Sequence, residues 1–341
     1  MILLVVPSLD LWKFKGLARV SLEFYKRLRN FIEVEVYEVH KRKKSYISNL
    51  TKVPFKQLTT KAKIIHSIVP ESGSFLFLIK HLKNIKTIVT FHDVIPLRYL
   101  NRESFNRRFL LKTYFFKIMW KLASYSEIVV AQSSQTAEEV KKFFRREVNK
   151  VIPFGVDEKF KQKKMKRDKI TIGFLGSWIY RKRVDIVINV FKRLKMEFDC
   201  KLILAGGKLE TKHQKQFNVY RMTKNLEDVV IISRIPEERI VDFYNSLDFF
   251  IFPSEYEGFG LPVLEAQKCG VPVFIMKDSR IPFEVSRAAI KCKNVSEMVE
   301  KIKYFINNRR EYKKISRKGI RYSSKFTWKR TIDSYLKLYG R

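Results

Sequence analysis

The chain opens on an unbroken apolar run, "MILLVV", closed by Pro7, which reads as a strand buried on both faces. Gly16 then precedes "LARVSLEFYKRLRN", where Leu17, Val20, Leu22, Phe24 and Leu28 recur at roughly helical spacing. Strand, glycine-bearing loop and helix together make the first step of a doubly wound α/β unit. Short apolar runs follow as further strands: "VEVYEVH", "KIIHSIV", "TIVTFHDVIP" and "EIVVAQSS". Ser133 or Ser134 can cap the helix "TAEEVKKFF" after the last of these.

The pattern then starts again. "KVIPFGVD" is a strand and turn, and "EKFKQKKMKRDK" is polar and basic, suited to a linker. "ITIGFLG", "CKLILAGG", "VVIISRIP", "DFFIFPS" and "VPVFIM" read as strands. Between them, "RVDIVINVFKRLK", "EERIVDFYNSL" and "LPVLEAQKCG" read as helices, the last closed by Gly270. The tail from "SEMVEKIKYFINN" through "TIDSYLKLY" is helical. The expected division is 1–155, a linker at 156–169, a second α/β domain at 170–322, and a C-terminal helix at 323–341 returning to the first domain. Two such halves imply a cleft, with ligands at the carboxyl ends of the strands.

A length of 341 residues suits two cores. The three cysteines, Cys200, Cys269 and Cys292, have no zinc-type pairing and fit a reducing, cytoplasmic compartment. No apolar run is long enough to span a bilayer. The net charge is +36, divided as +17 in residues 1–155 and +19 in the remainder. An excess spread so evenly is not a nucleic-acid-binding arm. A broadly basic surface draws anions such as nucleotides and lipid headgroups, and a compositional bias of the source organism explains the same number equally well.

Against that background, "SEYEGFGLPVLEAQKCG" stands out for its glutamates. A strand ends at Pro253, Gly258 and Gly260 permit a turn with positive φ, and Pro262 suits the first turn of a helix. Amides at such a helix start hold anions. Glu257 falls in the loop and Glu265 in about the first helical turn. Carboxylates repel phosphate but accept hydrogen bonds from hydroxyls, so the pair suggests a diphosphate carrying a sugar at each end. Glu255 is a bystander in this reading.

"EGFGLPVLE" is an E-x7-E pattern and resembles the signature of the family 4 glycosyltransferases of GT-B fold. "GLARVSLEFYKRL", "TFHDVIPLRY", "VIPFGVD", "GFLGSWIYRKR", "LILAGG" and the stretch from "RIPEERIVDFYNSLDFF" resemble further segments of that family, in its order. The resemblance implies two Rossmann-like doubly wound domains facing a central cleft. It implies a metal-independent, retaining hexosyltransferase without cofactor. Front-face displacement would let the leaving phosphate help deprotonate the acceptor.

The resemblance also assigns residues. Glu257 would contact the transferred sugar, with His92 beside that sugar. Gly258, Phe259, Gly260 and Leu261 would hold sugar and diphosphate by their backbone, and Glu265 the ribose. Lys182 would bind the diphosphate and offset charge on the leaving nucleotide. Gly16 would let the first loop approach the diphosphate, and Ile235 would border the nucleobase or simply pack. Asp93 caps the next turn or orients the acceptor. The family often has Arg after the glycine of the phosphate loop, whereas here Gly176 is followed by Ser177. Arg181 or Arg183 would have to reach in, or both are solvated surface charges.

The expected partners are a UDP- or GDP-linked sugar donor and a glycan or lipid-linked acceptor, with no nucleic acid. "NRRFLLKTYFFKIMWKLASYS", 106–126, interleaves aromatics with cations. Phe109, Leu110, Thr113, Phe116, Ile118 and Trp120 spread around a helix, so one face packs on the first sheet. The rest is either solvated or laid on an anionic membrane at the inner face, with Lys112, Lys117 and Lys121 near headgroups. "KRKKSY", 41–46, is a second basic cluster, read as a loop. A competing reading makes the chain a basic nucleic-acid- or membrane-binding protein on a degenerate GT-B scaffold, which Ser177 would favour. Phosphorolysis or epimerisation ranks last. The sequence names neither sugar, nucleobase, acceptor nor linkage.

Overall fold

The computed structural model describes residues 1–10, 15–39, 49–98, 107–165, 168–207 and 216–340. They form two compact units, Met1–Gly155 with Trp328–Arg341, and Val156–Thr327. The basic cluster 41–46 lies outside the described residues.

In the first unit the strands are β1 (Ile2–Val6), β2 (Val34–Glu38), β3 (Ile64–Ser67), β4 (Lys86–Phe91), β5 (Ile128–Ala131) and β6 (Lys150–Val151). They run parallel in the order β2-β1-β3-β4-β5-β6. Every residue of β1 is buried, as expected of a parallel strand covered on both faces. The helices are α1 (Lys15–Leu28), α2 (Lys52–Thr59), α3 (Leu76–Lys83), α4 (Ile95–Arg98), α5 (Arg107–Ala123) and α6 (Ser134–Phe144). Ser133 caps α6 by accepting from the Thr136 amide. Along α5, Thr113, Met119, Trp120 and Ala123 are buried, while Tyr114 and Ile118 are exposed. Ile118 therefore leaves the expected packing set. Lys121 is turned inward, its amine donating to the Phe144 carbonyl. The side chains of Phe109, Leu110 and Lys112 lie outside the description.

In the second unit the strands are β7 (Ile170–Leu175), β8 (Cys200–Ala205), β9 (Val229–Ile232), β10 (Phe249–Ile251), β11 (Val273–Met276) and β12 (Ile290–Cys292). They too run parallel, in the order β12-β11-β10-β7-β8-β9. The chain winds outward from β7 in one direction, then restarts at β10 and winds in the other. This is the Rossmann order, and its switch point lies between β7 and β10. The helices are α7 (Val184–Lys195), α8 (Val219–Thr223), α9 (Ile240–Asn245), α10 (Leu261–Lys268), α11 (Phe283–Ser286), α12 (Val295–Asn307) and α13 (Arg309–Ser323). The stretch read as a linker is packed into this unit. Phe160 is buried with its ring 6.0 Å from that of Tyr244, and the Lys163 amide donates to Asn245 Oδ1 at 2.6 Å.

The last helix, α14 (Trp328–Tyr339), belongs to the first unit. Its tyrosines enter that core. His66 of β3 bonds the Tyr339 hydroxyl through Nδ1 at 2.6 Å and Thr90 of β4 through Nε2 at 2.8 Å. Tyr335 shares its hydroxyl with Thr90 at 3.1 Å and Gln132 at 3.3 Å. Buried polar groups need such partners, and here two strands and the residue after β5 are joined to one helix through them.

Candidate functional site

At the switch point of the second unit, β7 and β10 end side by side and their loops are laced together. After β7 the backbone turns at Gly176, whose amide donates to Ala205 O at 3.0 Å. Gly206 has φ 117°, and a Cβ there would fall 1.9 Å from the Gly176 carbonyl oxygen, so only glycine fits. A 3-10 turn over Tyr180–Lys182 follows, closed by Arg183 at φ 48°. The Arg181 carbonyl then accepts the Glu255 amide, 2.8 Å away, from the loop after β10. The Arg280 amide donates to Glu255 O at 2.7 Å, and the Glu257 amide donates to Arg280 O at 3.0 Å. Glu255 thus contributes through its backbone, which fixes the height of Glu257 above the sheet.

Three charged side chains converge there. The Lys182 amine and the Ser254 hydroxyl both donate to Glu257 Oε1. Arg181 Nη1 lies 3.4 Å from the same oxygen and donates to the Tyr256 carbonyl. The Lys182 amine also sits 5.1 Å from the Phe252 ring centroid. These side chains are only 13%, 13% and 11% exposed for Arg181, Lys182 and Glu257. Burial alone would raise the Glu257 pKa. The Lys182 and Arg181 charges, with hydrogen bonds from Lys182 and Ser254, outweigh it and hold the carboxyl below its ordinary value. Two cations on one carboxylate leave net positive charge in a partly dry site.

Arg181 is therefore not the solvated surface charge that was one of two expectations. Arg183 takes neither course, pairing instead with Asp278 at 2.9 and 3.0 Å. Ser177 is half-buried in the loop between Gly176 and the turn. Gly260 takes φ 98° at the start of α10 and provides no side-chain cap, and Pro262 occupies the first turn. Glu265 is the fifth residue of α10, just past its first turn. It is 2% exposed and accepts from the Tyr244 hydroxyl at 2.9 Å. Gly258 and Phe259 are buried in the loop, and Leu261 opens the helix, half-buried. Ile235 is half-buried just beyond β9.

Two predicted residues belong to the first unit. Gly16 is not in a loop but is the second residue of α1, exposed, with nothing within 4 Å of an added Cβ. His92 directly follows β4, its ring stacked on Phe154 at 5.4 Å. Neither ring nitrogen has a hydrogen-bond partner of regular geometry, and both are buried. Burial lowers its pKa to about 4, against a smaller opposite pull from the Ile68 backbone, so the ring is neutral at pH 7. Asp93 accepts the Ile95 amide at 2.9 Å and so caps the turn at α4.

Ser254 was not singled out from the sequence, although it stands three residues after β10 and three before Glu257. Among the described residues no helix is long and apolar enough to cross a membrane.

Two family models divide the chain between them. One described as glycosyl transferases group 1 matches residues 155–322, and one described as glycosyltransferase family 4 matches residues 15–160. The chain belongs to the family 4 glycosyltransferases. Among curated relatives of the family, an uncharacterized glycosyltransferase of Methanocaldococcus jannaschii is 28% identical over 170 residues, covering 49% of this chain and 46% of that protein. An O-antigen biosynthesis glycosyltransferase of Escherichia coli is 28% identical over 265 residues, covering 72% of this chain and 70% of its own. The match spans less than half the length of the first three such relatives, at 46%, 41% and 39%.

Solved structures share the GT-B fold. Sucrose-phosphate synthase of Thermosynechococcus elongatus superposes with a TM-score of 0.79 at 15% identity, covering 99% of this chain and 98% of that one. HepE of Anabaena, solved with UDP and glucose, gives 0.74 at 14% identity, covering 99% of each.

Proposed function

We propose that the chain is a retaining glycosyltransferase that moves a hexose from a nucleotide-diphospho-sugar to a glycan or lipid-linked acceptor. The observation carrying this is the convergence of Lys182 and Arg181 on Glu257 at the switch point of the second unit. Net positive charge beside a carboxylate suits a diphosphate joined to a hydroxylated ring. Lys182 and Arg181 hold the diphosphate, Glu257 accepts from sugar hydroxyls, and Glu265 takes the ribose. The amides from Gly258 to Leu261 add donors at the start of α10. Gly16, Ser177 and Ile235 border the donor in this reading, and His92 lies beside the transferred sugar.

In the transfer, the anomeric carbon–oxygen bond to phosphate breaks and its electron pair leaves with the nucleoside diphosphate. The acceptor oxygen bonds to the anomeric carbon on the same face, and its proton passes to the departing phosphate. Negative charge grows on that phosphate, and fixed cations stabilise it without reorganisation. Arg181 supplies the second cation that Ser177 does not, which removes the main support for a degenerate binding protein. The donor nucleotide is UDP or GDP, no metal is required, and the basic surface permits peripheral contact with an anionic membrane.

A thermal-shift screen against UDP-, GDP- and ADP-sugars, followed by mass spectrometry of products formed with lipid extracts, tests the reading. Stabilisation by one nucleotide class and a product heavier by one hexose are expected, insensitive to EDTA. No stabilisation and no product would remove it.

A further inference from the structure

The last helix of the second unit, α13, carries charge that the proposed transfer has not used. Seven of its fifteen residues are Lys or Arg, against the single acid Glu311. Lysine and arginine are 70 of 341 residues in the whole chain, so the helix holds more than twice its share. They are also sorted. Every exposed residue of α13 is Lys or Arg. Spacings of three and four keep Arg310, Lys313, Lys314, Arg317, Lys318 and Arg321 on one face. At 1.5 Å of rise per residue the row is about 17 Å long.

The opposite face fixes the helix. Tyr312, Ser316, Gly319 and Ser323 are buried there. The Tyr312 hydroxyl donates to Asp248 O at 3.1 Å, Ser316 Oγ to Gly270 O at 2.6 Å, and the Tyr322 hydroxyl to Glu284 O at 2.8 Å. Gly319 lies against Gln267 of α10, where an added Cβ would meet the glutamine side chain at 3.4 Å. The cations therefore stand on a rigid base, packed on the helix whose start borders the donor in the transferase reading.

Neighbouring cations are neutralised and most of these are not. On α12, Lys301 pairs with Glu297 at 2.9 Å, and Lys303 with Glu197 at 2.6 Å and Glu300 at 3.3 Å. On α13, Glu311 reaches Lys314 at 3.4 Å. Among the described residues, no carboxylate pairs with Arg310, Lys313, Arg317, Lys318 or Arg321. Like charges held this close repel one another, and a partner rich in negative groups relieves that. With only cations exposed, nothing on the face can stack on a base or insert between acyl chains. It holds phosphates alone. A fixed row of cations suits mobile anions, because headgroups in a fluid leaflet move sideways to meet it, whereas a stiff polyanion must match its spacing.

We infer that the outward face of α13 docks the second unit on an anionic phospholipid surface, by headgroup contact without insertion. The docking rests on the transferase reading only for its purpose, which is to hold α10 and its donor where a lipid-linked acceptor lies.

The test is sedimentation of the whole protein with phosphatidylcholine vesicles containing about 30% phosphatidylserine, with neutral vesicles and a short duplex DNA as controls. The wild type should sediment with the anionic vesicles, not with the neutral ones, and detach at about 0.5 M salt. Each Lys or Arg near such a surface contributes about fivefold in affinity, so Lys313→Gln/Arg317→Gln/Arg321→Gln should bind about 100-fold more weakly. Lys192→Gln/Arg221→Gln/Lys224→Gln removes the same charge from exposed positions elsewhere in the second unit and should lose less than about fivefold. Should the α13 variant fail to fold, Arg317→Gln alone carries the comparison at about fivefold. Equal losses in the two variants, sedimentation with neutral vesicles, or none by the wild type overturns the inference. So does duplex DNA held more tightly than anionic vesicles through the same residues. Vesicle binding that depends on α13, in a protein that no nucleotide sugar stabilises, would keep the docking face and remove the transferase reading instead.

Discussion

The two units answer the same problem, a carboxyl near the carboxyl ends of a parallel sheet, in opposite ways. In the second unit Glu257 is surrounded by partners, with Lys182, Ser254 and Arg181 on one oxygen, and it ionises more readily than usual. In the first unit burial outweighs the Trp120 indole and the residue's own backbone amide, and the Glu71 carboxyl holds its proton up to about 7. Position at a strand end does not set the ionisation of an acid. The cations its loops bring do. A site with fixed cations is prepared for charge that develops or arrives.

The largest effect should come from removing a cation. Lys182→Ala is expected to lower transfer by about 100- to 1,000-fold. Glu257 keeps Arg181 and Ser254 in this variant, so the loss of stability in urea denaturation should be the smaller effect, about 1–3 kcal/mol. Full activity in this variant would break the comparison at its stronger end. Glu257→Gln removes hydroxyl recognition but keeps the shape, so turnover should fall steeply while nucleotide affinity, followed by calorimetry, holds or rises.

A pH experiment separates the units. Burial raises the Glu71 pKa from 4.5 to about 7 in the folded state, so its cost to folding accrues as pH rises from about 4.5 to about 7 and is complete above that. Glu71→Gln should gain on the wild type through that window and melt higher at pH 8. His92 and His66 are lowered by burial to about 4 and about 3. Unfolded histidine takes a proton near 6.5, so their contribution is complete above that value and is lost as pH falls toward 4. Acid melting should therefore begin in the first unit, visible as early loss of hydrogen-exchange protection in β3 and β4. The smallest effect belongs to Ser177→Arg. With Arg181 already turned onto Glu257, turnover should change by less than about threefold; a large gain would show that the site lacks a cation after all.

Much of this organisation was legible in the chain. Parallel strands buried on both faces read as continuous apolar runs, and "MILLVV" and "CKLILA" announce β1 and β8 without reference to anything distant. The helices α2 and α3 did not announce themselves, because neither has a side-chain cap at its start. Asn84, left-handed at the end of α3, was the one available stop signal. The three-residue β12 is too short to show a period. At the site, Glu257, Lys182 and the turn at Gly260 follow from local pattern. Whether Arg181 or Arg183 points inward does not, since it depends on the loop after β10 offering Glu257 to one and the Asp278 region offering a carboxylate to the other. Glu71 was invisible for a similar reason, since "VPESG" looks like any turn until a helix much later in the chain lays Trp120 against it.

The hydroxyls of Tyr335 and Tyr339 impose an order on assembly. The first unit to leave a ribosome cannot finish its core with its own residues, because His66 and Thr90 await tyrosines some 250 positions later in the chain. The second unit is contiguous and can close on itself while the first still waits. Stopping translation at Thr327 should therefore yield a folded second unit tethered to an unfinished first one, susceptible to protease between β3 and β5. The first unit is completed last.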